Sequence, residues 1–179
     1  YLVCRFIKAC MLMQAAPDIG VPFDPIPVDY LAQAIVHLGR KRESLGQAFH
    51  YFNHHPIPWR EVFLLARSLG YPVRLLPPAD WHRELAAAVE SPAGNALTPF
   101  WPMLRGPRDQ AGEEPAAAAA MEDPLRAGPR FDDRNTERGL AGSGISCPPA
   151  DRALFEVYFA HFLASGFLPP PVDMLQPAM

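Results

Sequence analysis

Prolines cut this chain into short pieces. They make up 22 of its 179 residues, about 12% against a usual ~5%. A proline fixes its own φ and has no backbone N–H, so it disrupts a helix interior or a central strand. Here Pro25, Pro27, Pro56, Pro58, Pro77 and Pro78 fall between apolar-periodic segments. They punctuate a fold and do not imply wholesale disorder.

Most of the periodic segments read as helices. Leu2, Val3, Phe6, Ile7, Cys10 and Met11 recur at helical spacing, with no capping signal ahead of them. A chain that starts this way, at Tyr1 and without a methionine, is expected to be a piece of something larger. Residues 18–27 read as extended, with Val21, Phe23 and Ile26 set among turn residues. Leu31, Ala34, Ile35 and Leu38 then mark one face of a helix. Asp29 sits at its first turn, where it can cap, and Arg40, Lys41 and Arg42 lie beyond its end, an order that suits the helix dipole. In "GQAFHYFNHHPIPW", Ala48, His50 and Phe52 alternate with Phe49 and Tyr51, which predicts a strand ended by Pro56.

Pro58 opens the next helix at its first position. Val62, Leu65, Ala66 and Leu69 form its stripe, and Gly70 is a natural C′ residue. "YPVRLLP" predicts a second short strand. Asp80 caps a third helix with Trp81, Leu85 and Ala88 on one face. Residues 95–104 read as a short helix or turn carrying Phe100 and Trp101.

Residues 105–130 have no aromatic residue and almost no branched aliphatic one. The stretch reads as a mobile insert, with order resuming at Phe131. Asn135 caps a short helix through Leu140. Leu154, Phe155, Tyr158, Phe159, Phe162 and Leu163 give the strongest helix of the chain, ended at Gly166. The fold class expected is mostly α with a small β component, in one unit over residues 1–179. Two short strands cannot make a doubly wound sheet. No Gly-rich loop joins a strand to a helix, so there is no dinucleotide fingerprint.

Bulk properties exclude several classes. A net charge of −3 leaves no basic stripe for nucleic acid. No apolar run approaches the ~20 residues of a membrane span, and residues 1–13 contain Arg5 and Lys8 with no cleavage motif after them, so no signal peptide is read. Cys4, Cys10 and Cys147 form no disulfide framework, which points to reduced thiols and a cytoplasmic setting.

Site chemistry is sparse. His50, His54 and His55 cluster with Asn53, but no fourth ligand sits at a usual spacing, and a strand would place His55 on the opposite face; no metal site is expected. Ser143, Ser146 and Cys147 lie in a turn without a nucleophile elbow. Asp132, Asp133 and Asp151 read as helix-start charges, not as an acid/base pair. Trp59, Trp81, Phe100 and Trp101 are available to line an apolar pocket, although packing is their default role.

Three stretches taken together carry a resemblance: "PIPVDYLAQAIVHLGR", "GQAFHYFNHHPIPWREVFLLARSLGYPVRLLPPADWHREL" and "RFDDRNTERGLAGSGISCPPADRALFEVYFAHFLASGFLP". In this order and spacing the chain resembles the terminal thioester reductase domains of nonribosomal peptide and polyketide synthases. These are extended short-chain dehydrogenase/reductases, similar also to the end of carboxylic acid reductases. The match covers nearly the whole chain apart from residues 105–130. Two features depart from the family pattern: that long insert, and Pro58 where the family usually has Ser or Thr.

The resemblance implies a C-terminal, substrate-binding subdomain, lacking the Gly-rich nucleotide half and the catalytic Thr, Tyr and Lys. No tyrosine here is followed four residues later by lysine: Tyr1 leads to Arg5, Tyr30 to Ala34, Tyr51 to His55, Tyr71 to Leu75 and Tyr158 to Phe162. It implies NADPH as cofactor of the intact domain, with none bound by this fragment, which is then expected to be inactive alone. Its partners would be the upstream nucleotide-binding half and an acyl or peptidyl carrier protein with its phosphopantetheine arm. The product would be an aldehyde or an alcohol.

The "PIPVDY" segment would cross between the two halves near the reaction cleft, with Pro25 and Pro27 stiffening it. The substrate-binding residues expected on this basis are Phe23, Pro27, Asp29, Phe100 and Trp101. One rival is an interaction module that docks the carrier protein through Arg5, Lys8, Arg40, Lys41 and Arg42. A sugar-nucleotide dehydrogenase fragment is disfavoured, because residues 18–36 offer no Arg or Lys for a diphosphate.

Overall fold

Three helices follow directly on a proline in the structure, a computed structural model that describes residues 2–92, 94–104 and 132–171. The helices are α1 (Leu2–Met13), α2 (Val28–Gly39), α3 (Trp59–Ser68), α4 (Pro78–Glu90), α5 (Trp101–Leu104), α6 (Arg134–Leu140) and α7 (Arg152–Ala164). Short 3-10 turns span Arg42–Ser44 and Thr98–Phe100. The strands are β1 (Ala15–Pro17), β2 (Pro22–Phe23), β3 (Ile57–Pro58) and β4 (Arg74–Leu76). The fold is mostly helical with a small β component, as the sequence predicts. The expected insert at 105–130 and the restart at Phe131 lie outside the described residues.

Pro27, Pro58 and Pro77 occupy the N-cap positions of α2, α3 and α4, with φ of −60°, −62° and −50°. The pyrrolidine ring holds the chain extended up to the point where the helix begins. An acid then lies in each first turn, Asp29, Glu61 and Asp80 respectively, where negative charge meets the positive end of the helix dipole. This corrects two expected caps. Asp29 and Asp80 sit inside their helices because a proline already holds the cap position. Asp80 pairs with Arg83 instead. Pro58 likewise precedes its helix by one residue. Asn135 is also not a cap; it is the second residue of α6, and Asp133 holds the cap position without a side-chain bond. Asp151 does cap: its carboxylate accepts the Leu154 N–H at 3.0 Å at the start of α7.

β1 pairs with β4 in parallel, Ala15 opposite Arg74 and Pro17 opposite Leu76. β2 pairs antiparallel with β3, Phe23 opposite Ile57. The strand expected from Ala48 up to Pro56 does not form; that stretch is irregular. Its backbone carbonyls are taken by α6: Asn135 Nδ2 donates to Ala48 O at 3.0 Å and Thr136 Oγ1 to His50 O at 2.6 Å. These two carbonyls are thereby satisfied by side chains and not by a ladder partner.

The main core gathers Ile7 and Cys10 of α1, Val62, Phe63 and Ala66 of α3, Trp81 and Leu85 of α4, and Phe155 and Phe159 of α7. The stripe predicted for α3 is buried except for Leu69, which is partly buried and packs against this core. α3 is followed, after Leu69, by Gly70 with φ 91°, and α7, after Ser165, by Gly166 with φ 68°, backbone conformations that glycine reaches without strain. Of the six residues predicted to line α7, Phe155 and Phe159 are buried and the other four are half-buried.

A second, smaller core joins Tyr30, Ala34 and Leu38 of α2 to Leu140 of α6. Ile35, expected on the same face, is 53% exposed instead. Gly139 lets the two helices approach: a Cβ there would lie 2.4 Å from Leu38 Cδ2. Gly139→Ala is therefore expected to destabilise the protein by about 1–2 kcal/mol, overpacking outweighing the gain in helix propensity. In a Leu38→Ala background the same change should be neutral or stabilising. Urea melts of the four proteins in the cycle check this, and additive losses would contradict it.

Candidate functional site

The segment that leaves β1 is stitched to the start of α3. The Trp59 N–H donates to Val21 O and the Arg60 N–H to Ile19 O, both at 3.1 Å. Arg60 also forks onto Asp18, Nε to Oδ1 at 2.5 Å and Nη2 to Oδ2 at 2.6 Å. That hydrogen bonding holds the Asp18 carboxyl below its usual range. The segment continues through β2, where Phe23 stacks on Trp59 with ring centroids 4.1 Å apart and 12° between planes. The Phe155 ring lies 6.0 Å from that of Phe23, tilted by 56°.

Asn53 secures the next stretch. It is 3% exposed, and its Nδ2 donates to Pro25 O at 2.9 Å and to Pro148 O at 3.0 Å. Its Oδ1 accepts the His55 N–H at 3.0 Å. One buried amide thus ties together three segments remote in sequence. Pro27 is buried and Asp29 exposed. Burial raises the Cys147 thiol, and the Asp29 charge raises it further. Burial also raises the Tyr158 phenol, with Asp29, Cys147 and Cys4 adding to the effect. Asp29, Cys147 and Tyr158 therefore share one electrostatic neighbourhood. Tyr158 in turn packs edge-on against Phe155 at 5.7 Å.

The structure brings Phe23, Pro27 and Asp29 together on one segment, backed by Trp59 and Phe155. Phe100 and Trp101 stand on another element, half-buried, with Trp101 5.2 Å from the His82 ring. Among the described residues no hydrogen bond or ring contact joins the two groups. A cavity of about 280 Å³ lies nearby, lined by Tyr30, His54, Asp133, Glu137, Ser146 and Cys147. It contains none of the five predicted residues.

Chemically, the first group offers an apolar wall edged by one carboxylate and one phenol that stays protonated. It holds no activated nucleophile: Cys147 is pushed toward the protonated thiol, against what nucleophilic catalysis needs. Among the described residues the three histidines do not gather into one ligand group. His50 contributes its carbonyl to Thr136, and His55 its amide to Asn53. His54 Nε2 instead meets Asp133 Oδ2 at 2.7 Å, with Glu137 Oε1 at 3.8 Å. This is a surface His–carboxylate group, with the His54 side chain 57% exposed.

No family model matches the chain. It is 38% identical over 162 residues to the isonitrile lipopeptide synthase of Streptomyces coeruleorubidus, a match covering 87% of this chain and 10% of that protein. It is 26% identical over 180 residues to the L-2-aminoadipate reductase of Saccharomyces cerevisiae, covering 93% and 12% respectively. The crystal structure of the terminal R domain from the myxalamid PKS-NRPS biosynthetic pathway superposes with a TM-score of 0.74 at 32% identity, over 96% of this chain and 40% of that one. The chain belongs to the terminal reductase domains of nonribosomal peptide and polyketide synthases.

This reductase-domain chain spans about a tenth of the length of the curated relatives it matches. Its mostly helical fold, with few strands, agrees with the C-terminal part that its sequence implied. Among the described residues, two strand-to-helix junctions carry proline. β3 runs straight into α3, and β4 reaches α4 through Pro77, whereas a diphosphate cradle needs glycine and free backbone N–H groups there.

Sequence reasoning missed Asn53, which holds the Pro25 carbonyl, and Tyr158, which packs on Phe155 near Asp29. Asn53 was visible only as a polar residue among histidines. Tyr158 was read only as part of the apolar stripe of its helix.

Proposed function

We propose that this chain is the substrate-side part, lid and acyl pocket, of an NADPH-dependent thioester reductase. The intact domain releases a carrier-bound acyl or peptidyl thioester as an aldehyde or alcohol. A two-electron reduction of the thioester carbonyl breaks the C–S bond and yields an aldehyde and a free thiol; a second reduction yields the alcohol. NADPH would be held by the other part of the domain. The observation that carries this reading is the 32% identity and common fold, over 96% of the chain, with a terminal R domain.

In this reading Phe23 and Pro27 shape the wall of the acyl pocket, Asp29 marks its polar edge, and Phe100 and Trp101 cover the distal part of the chain. The support is the composition: apolar rings with few polar guides, as small-molecule sites commonly have. The half-burial of Trp101 leaves part of its ring available.

The test uses the intact reductase that includes this chain. Trp101→Ala is expected to raise the KM for a carrier-bound thioester roughly tenfold while leaving NADPH affinity unchanged. Equal loss of both, with a lower melting temperature, would make Trp101 a packing residue and displace the pocket.

A further inference from the structure

α2 is apolar on two sides. Tyr30, Ala34 and Leu38 face the smaller core. On the other side, Val28, Ala32, Ile35 and Gly39 fall within about 60° of arc at 3.6 residues per turn, with Val36 beside them. Val28 is 80% exposed, Ile35 53% and Val36 59%. A surface helix with one buried face ordinarily turns polar residues outward, and contiguous exposed apolar side chains mark an interaction surface. Ala32 and Gly39 are small enough to let a partner helix approach. Beside the stripe is a hollow of about 610 Å³ lined by Ala32, Val36, His37, Arg40, Lys41 and Ile145.

The charge at the end of this face is one-sided. Arg40, Lys41 and Arg42 follow the stripe, with Glu43 as the adjoining acid. Among the described residues Arg40 and Arg42 make no ion pair, and Lys41 donates to Gly139 O at 2.5 Å. The other cations considered for docking are engaged in the main core's surroundings: Arg5 donates to Ala96 O at 3.3 Å, and Lys8 lies 4.7 Å over the Phe167 ring.

We propose that the outward face of α2, with Arg40 and Arg42 at its end, docks the carrier domain that delivers the thioester, through an acidic helix with an apolar stripe of its own. The apolar residues supply contact area, and the cations set orientation and encounter rate by charge complementarity. This proposal rests on the thioester-reductase reading, since that reading supplies the carrier.

The experiment uses the intact reductase and a separate, acyl-loaded phosphopantetheinyl carrier, with the same acyl group on free pantetheine as the control substrate. Val36→Glu, and Arg40→Glu combined with Arg42→Glu, are expected to raise the KM for the carrier-bound substrate at least about tenfold. kcat/KM for the pantetheine thioester should stay within about twofold. Raising salt should weaken the wild type more than the double charge variant.

An unchanged carrier KM would overturn the proposal. Parallel loss on both substrates with a lower melting temperature would place the face inside the reductase's own packing, which also overturns it. So would a wild-type dimer that Val36→Glu dissociates. If the wild type reduces neither thioester, the functional reading fails. Calorimetry of the carrier against wild type and the charge variant then decides docking alone: binding lost in the variant supports it, and no binding by the wild type refutes it.

Discussion

Replacing Phe159 by alanine is expected to remove about 3–5 kcal/mol of stability, the usual loss for a fully buried phenylalanine. Phe159 is 1% exposed on the inner face of α7. Its ring lies 6.1 Å from Tyr71 and 6.2 Å from Phe162. The surroundings have little freedom to collapse into the space left behind. Tyr71 is held by its hydroxyl, which donates to Pro169 O at 2.9 Å beyond the end of α7. The removed ring therefore leaves a cavity as well as lost apolar transfer. Urea unfolding should show a lower midpoint with an unchanged slope. A loss under about 1 kcal/mol would mean that α7 is not central to the core.

Trp81→Ala is expected to cost a similar 3–5 kcal/mol, for a different combination of reasons. Trp81 is 1% exposed and packs edge-on against Phe6 at 5.5 Å. Its indole N–H donates to Ala15 O at 3.2 Å, joining α4 to β1 across the main core. The alanine variant loses the ring and the donor together. Trp81→Phe separates them, since most of the volume stays and the hydrogen bond goes; it should cost about 1–3 kcal/mol. Equal losses for the two variants would assign the whole effect to the hydrogen bond. Near-zero loss for phenylalanine would assign it to packing alone.

The parts of the fold that were legible in the sequence are those set by side-chain period. The α3 stripe, the Gly70 terminator, the short strand at Arg74–Leu76 and the aromatic face of α7 all follow from spacing and glycine chemistry. Two kinds of error have a common cause. Alternation at residues 48–52 shows which side chains point the same way, but not where the backbone carbonyls go. Here those of Ala48 and His50 go to Asn135 and Thr136, more than eighty residues away in sequence. Likewise Asp29 and Asp80 have the right chemistry for caps, but a proline two or three positions earlier settles where each helix begins.

The candidate site was legible to the same degree. Phe23, Pro27 and Asp29 were readable as one segment because they are adjacent in sequence. That Phe23 stacks on Trp59 depends on β2 pairing with β3, and the buried amide of Asn53 depends on three segments meeting. Neither leaves a periodic trace. The second apolar face of α2 was visible as residues, but Ile35 was assigned to the core face. Only the packing of Tyr30, Ala34 and Leu38 shows that it turns outward.

The most direct test of the functional account is a single-turnover assay on the intact reductase that includes this chain, using an acyl-loaded carrier. NADPH oxidation, thiol release and carbonyl product are followed in the same sample. The account predicts that thiol appears with NADPH consumption, one NADPH per thiol for an aldehyde product and two for an alcohol. Thiol release without NADPH oxidation, giving a free acid, would mean hydrolysis and would contradict it.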